Sequence, residues 1–117
     1  MTDRSNIYIN KNTDFQAPLL FFDNDGAIDL SNYSFFGQIR KVYSESVIAE
    51  FEFRLIDLVN GEVEIALSSE STKNLPEGKY QYDVLIQHAT GDVIKVLEGL
   101  VFIMSTVTQI ETISEEE

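Results

Sequence analysis

Apolar and polar residues alternate with a period of two along most of this chain, and no stretch of helical period exceeds two turns. The clearest run sets Tyr80, Tyr82, Val84 and Ile86 on one side of an extended segment and Gln81, Asp83 and Gln87 on the other. Leu75-Pro76-Glu77-Gly78 leads into it as a reversal, because Pro76 restricts φ and Gly78 accepts a positive one. Upstream, residues 7–9 form a short strand. Residues 15–22 form a second, with Phe15, Ala17, Leu19 and Phe21 on one face and Pro18 marking an edge or a bulge. Asp25-Gly26 closes a turn, residues 28–30 continue briefly, and residues 33–42 alternate as Tyr33, Phe35, Gly37, Ile39 against Ser34, Gln38, Arg40. The cleanest half-buried strand is predicted over residues 47–55, with Val47, Ala49, Phe51, Phe53 and Leu55 inward. Asn60-Gly61 turns the chain into residues 62–67, where Val63, Ile65 and Leu67 point inward.

Residues 68–75 break the alternation. Ser68 or Ser69 caps a short helical turn there, near residues 69–75, that Pro76 ends. A turn at residues 89–92 precedes the last long strand, residues 93–104, in which Gly99 predicts a bulge or a change of sheet. Some seven to nine strands at short spacing, with no helices between them, predict an all-β fold: an antiparallel immunoglobulin-like or jelly-roll β-sandwich. Tyrosine at the start of the long strand resembles the corner of immunoglobulin-like domains, where a Tyr hydroxyl bonds to nearby backbone. Tyr82, Val84, Phe51 and Phe53 are expected between two facing antiparallel layers. One domain is expected over residues 1–117, with its core in 7–104 and extended termini at 1–6 and 105–117.

Length and charge narrow the function classes. A chain of 117 residues fits one core, burying about 65% of the surface its unfolded form exposes. Twenty acids against eight bases give a net charge of −12, which repels phosphate backbones and anionic lipid, so neither nucleic acid nor a membrane is an expected partner. No apolar run reaches the roughly 20 residues of a membrane span, and residues 1–6 lack the pattern of a signal peptide. The absence of cysteine removes disulfides and thiol chemistry.

The candidate chemistry is thin. Asp23, Asp25 and Asp29 around Gly26 are the best metal candidates, but aligned on a calcium loop they put Phe21 and Asn32 where ligands belong. His88, the sole histidine, has no second His or Cys to complete a zinc site. The pairs Glu50/Glu52 and Glu62/Glu64 share strand faces and read as solvated surface rather than an acid/base dyad. No nucleophile elbow or phosphate-binding loop is present. No enzyme, cofactor or metal is therefore expected. The unabsorbed feature is apolar: Phe22 and Phe36 lie across their strands from Phe21 and Phe35, Leu85 is on the outward face of the Tyr80 strand, and Leu100, Phe102 and Met104 in the last strand raise the same question. Each is either covered within the fold or part of a patch on which another subunit docks.

Taken in order, several motifs resemble a family of small bacteriophage virion modules. They are Lys11 with Asp14, Asp25-Gly26, Asp29-Leu30-Ser31-Asn32-Tyr33, Ile39-Arg40-Lys41, Asn60-Gly61, Leu67-Ser68, residues 75–84, residues 93–103 and Val107-Thr108. The likeness spans residues 7–108, and the N-terminal domain of phage baseplate upper proteins follows a similar strand plan. It implies a non-enzymatic virion protein of the tail, baseplate or neck, assembled in the host cytoplasm and bound to other virion proteins or to itself as a homo-oligomer. Its termini, 1–6 and 105–117, would lie along a neighbouring subunit. The alternative is a carbohydrate- or receptor-binding module of a phage fibre, using Tyr8, Tyr33 and Tyr43.

Overall fold

The structure, a computed structural model, describes residues 3–107. Alternation sets the two sheets. In β10 (Gly78–His88), Tyr80, Tyr82, Val84 and Ile86 are all buried, as the period-two pattern requires. In β9 (Glu62–Leu67), Val63, Ile65 and Leu67 are buried likewise. Around β10 lie β11 (Val93–Met104), β6 (Tyr33–Lys41) and β7 (Val47–Glu50), while β1 (Asp3–Arg4) and β2 (Ile7–Asn10) both line the far side of β11. Around β9 lie β3 (Phe15–Leu20) and β8 (Glu52–Asp57); β4 (Phe22–Asp23) and β5 (Gly26–Ala27) form a separate hairpin. Residues 28–30, expected to extend as strand, are irregular, although Leu30 is fully buried and its N–H donates to the Leu58 carbonyl. The one helix among the described residues, α1 (Ser69–Lys73), is capped by Ser68, whose hydroxyl accepts from the Ser71 N–H. The fold is all-β, and its main core draws Ile39, Tyr82, Val84 and Val101 from one sheet and Ile65 and Leu67 from the other.

The N-terminal strands depart from an antiparallel plan. β1 and β2 pair parallel to β11 in one continuous register, Asp3 opposite Leu97 through Asn10 opposite Met104. Between them the Ser5 N–H donates to the Glu98 carbonyl at 2.9 Å, and the Leu100 N–H donates to Asn6 Oδ1 at 3.1 Å. The Tyr82 hydroxyl donates to the Ser5 carbonyl at 2.6 Å, so the tyrosine bond reaches the start of the chain rather than nearby backbone. Gly99 makes that approach possible: a Cβ there would lie 2.0 Å from the Ser5 carbonyl oxygen. Gly99 is therefore a close-approach glycine and not a bulge. The register of β10 on β11 slips elsewhere, with Val84 opposite Leu97 and Leu85 opposite Lys95, leaving Val96 as the extra residue.

The single strand expected over residues 47–55 is two strands in different sheets. β7 pairs with β6, β8 pairs with β9, and the chain crosses at Phe51, whose N–H donates to the Gly37 carbonyl at 2.9 Å. The Phe51 ring is buried edge-on to Tyr82 at 5.9 Å, and Phe35 stacks on Phe53 at 5.8 Å. Val47 and Leu55, expected inward, are 43% and 57% exposed, because they sit on edge strands on either side of the crossing. The same crossing separates Glu50 from Glu52, which lie in different sheets and share no face.

Candidate functional site

Four of the five apolar candidates lie on the outward face of the larger sheet. Burying Tyr80, Tyr82 and Val84 turns Lys79, Gln81, Asp83 and Leu85 the other way. Cross-strand register then builds rows. Leu85 stands opposite Phe36 on β6 and Lys95 on β11; Gln81 stands opposite Arg40 and Leu100; Lys79 stands opposite Phe102, which is opposite Tyr8. Phe36 is 50% exposed, and Leu85, Leu100 and Phe102 are half-buried. The Tyr8 ring stacks on Phe102 at 5.2 Å, and Tyr8 is itself 60% exposed.

Between the apolar rows runs a polar band. Asp83 sits opposite Glu98 and Gln38, and Gln38 sits opposite Glu50. Glu98 accepts from Arg4 Nη2 and Lys95 Nζ, each at 3.0 Å. The Lys95 ammonium, reinforced by Arg4, holds the Glu98 carboxyl below its usual value. Arg40 donates through Nε and Nη2 to Gln38 Oε1 at 3.2 and 2.8 Å, and Gln38 Nε2 donates to Glu50 Oε2 at 3.3 Å. Arg4, Gln38, Arg40, Asp83, Lys95 and Glu98 line a shallow groove of about 470 Å³ with Phe36, Leu85 and Leu100.

Phe22 is elsewhere. It projects from β4, 72% exposed, and with Leu20, Phe21, Ile94 and Val96 lines a separate apolar cleft of about 720 Å³. The three tyrosines considered for glycan binding do not converge either. Tyr33 opens β6 and packs edge-on to His88 at 4.9 Å, whereas fully exposed Tyr43 lies past the other end of that strand.

The acidic candidates are used in turns. Asp23 Oδ1 accepts from the Asp25 N–H at 2.8 Å. Asp29 accepts from both the hydroxyl and the N–H of Ser31, and these bonds lower its pKa. Among the described residues, no group of three or more His, Cys, Asp or Glu side chains is placed to hold a metal ion, and no helix is long and apolar enough to cross a membrane. His88 Nδ1 pairs with the Thr90 hydroxyl at 3.0 Å.

Sequence reasoning missed the convergence of Arg4, Arg40 and Lys95. Alternation back from Leu100 and Glu98 puts Lys95 on the inner side; the extra residue at Val96 turns it outward. No protein-family model and no curated protein matches this sequence.

Proposed function

We propose that this chain is a non-enzymatic structural module of a bacteriophage virion, an adaptor or connector of the tail, baseplate or neck that works by binding other virion proteins and copies of itself. On this reading its fold is an immunoglobulin-like β-sandwich. The strand order β3-β9-β8 against β11-β10-β6-β7 supports that, since it follows the two-sheet plan of such domains, with the N-terminal strand carried over to the last one. The single observation behind an assembly role is the face just described. Phe36, Leu85, Leu100, Phe102 and Tyr8 crowd one side of a sheet that no other layer of the described residues covers. The motif order of the resemblance supplies the virion setting. Mass spectrometry of purified particles tests it: the chain is expected at stoichiometric copy number, and its absence would end the proposal.

A second reading, a carbohydrate-binding module of a fibre, draws on Phe36 beside Gln38, Gln81 and Asp83 in the groove, a ring next to planar hydrogen-bonding groups. A glycan array tests that; silence across it removes the reading.

A further inference from the structure

We propose that the groove on the larger sheet receives the acidic, aliphatic segment 106–117 of a second copy of this chain, linking copies head to tail. This rests on the assembly reading above and names the occupant of that face. In a chain of net charge −12, three of the eight basic residues, Arg4, Arg40 and Lys95, line this one groove against two carboxylates, Asp83 and Glu98, and Glu98 pairs with Arg4 and Lys95. Arg40 makes no ion pair among the described residues; its fork is held by the neutral Gln38 amide. A guanidinium so placed, in a groove that also carries apolar Leu85, Leu100 and Phe36, suits a carboxylate carried on an aliphatic strand.

Segment 106–117 has that chemistry. It holds Glu111, Glu115, Glu116 and Glu117 with no Lys or Arg, and six of the nine residues 106–114 are β-branched, which favours extended backbone. Residues 108–117 lie outside the described residues. The described chain shows where the segment starts: β11 ends at Met104, the Ser105 hydroxyl bonds Glu77, and Val107 is fully exposed. Ten extended residues reach about 33 Å, whereas the face from Lys79 to Leu85 spans about 20 Å. Entering its own groove would require the chain to reverse directly after β11. Residues 105–117 contain no Gly, Pro, Asn or Asp to turn it. A segment that instead continued along the direction of β11 would reach a neighbour. One copy gives the segment and the other the groove, so the contact does not close on itself and builds chains or rings.

Full-length variants test this. Ile110→Asp with Ile113→Asp disables the segment; Arg40→Glu with Lys95→Glu disables the groove. By multi-angle light scattering, wild type is expected to grow with concentration, and each variant alone to need about 30-fold more protein or greater to associate. Mixing the two variants is expected to give dimers and nothing larger, because each keeps one working half. A synthetic peptide of residues 106–117, in excess, is expected to shrink wild-type assemblies, an arm that does not depend on any variant folding. Wild-type monomers at every concentration, variants that associate normally, or assemblies indifferent to the peptide would each overturn the contact. A monomer whose groove is protected by its own segment would overturn the second-copy assignment. None of these results bears on whether particles contain the chain, so this contact and the virion role fail separately.

Discussion

Gly99→Ala is the sharpest probe of how the N-terminal strands are held. Gly99 is a mid-strand residue without positive φ, so in the folded state the added methyl acts through contact and not through backbone strain. It would sit 2.0 Å from the Ser5 carbonyl oxygen and 2.8 Å from its carbon. Carbon and oxygen rest no closer than about 3.3 Å even in favourable contacts, so Ser5 must retreat by roughly 1.3 Å. That movement stretches the 2.6 Å Tyr82–Ser5 bond beyond hydrogen-bond reach and disturbs the Ser5–Glu98 bond beside it. Two bonds at about 1 kcal/mol each set a floor of about 2 kcal/mol. If the whole segment lifts, Ile7 and Ile9 are also exposed, at about 1.5–3 kcal/mol each, for a ceiling of about 8 kcal/mol. Urea unfolding measures the total, and amide exchange at Ser5 and Ile9 separates a local shift from detachment. Tyr82→Phe removes one of the same bonds, so the double variant should lose less than the two single losses added together. A Gly99→Ala protein within about 0.5 kcal/mol of wild type, with Ser5 still protected, would refute the reasoning.

Burial pushes the Tyr82 hydroxyl up to about 12 from 10. Its contribution is complete below pH 10, where both states are protonated. It is lost between pH 10 and 12, where the unfolded chain releases a proton the folded chain keeps. Stability should therefore fall with rising pH across that window more steeply than in Tyr82→Phe, and ultraviolet titration should show one of the five tyrosines ionising late. Thr72→Val should cost about 1–3 kcal/mol in chemical denaturation, since Thr72 is fully buried, its hydroxyl donates to the Thr13 carbonyl at 2.8 Å and the replacement removes that bond. Gly61→Ala should lower the melting temperature more than Gly26→Ala. Both glycines have positive φ, but a Cβ at Gly61 meets the Phe21 carbonyl oxygen at 2.4 Å, and one at Gly26 meets nothing within 4 Å.

Much of the inner face was legible because burial follows alternation: Tyr80 to Ile86, Val63 to Leu67 and Gly37 to Ile39 all point as their period requires. Edge-strand Pro18 and the Ser68 cap were also legible, since each has a local conformational cause. Partner choice was not. Nothing in Ile7-Tyr8-Ile9 tells whether it runs with or against its neighbour, and a glycine in a strand marks a bulge or a close approach equally well. The crossing at Phe51 hid inside an unbroken pattern because both sheets bury the same side of the chain there. Of the candidate site, Phe36, Leu85, Leu100 and Phe102 could be named as candidates for an apolar patch, but their adjacency depends on register, and Phe22 has its own place on the β4–β5 hairpin. The cations around them depend on one extra residue at Val96, which no alternation announces.

The parallel pairing of the first strand with the last has a consequence for biogenesis. Ile7 meets Val101, 94 residues later, so on the ribosome the opening strand waits bare while the rest is translated. At about 5–20 residues per second that interval is roughly 5 to 20 seconds. Throughout it, two isoleucines and a tyrosine on a nascent polypeptide stand open to chaperones and to the same strand of a neighbouring polysome product.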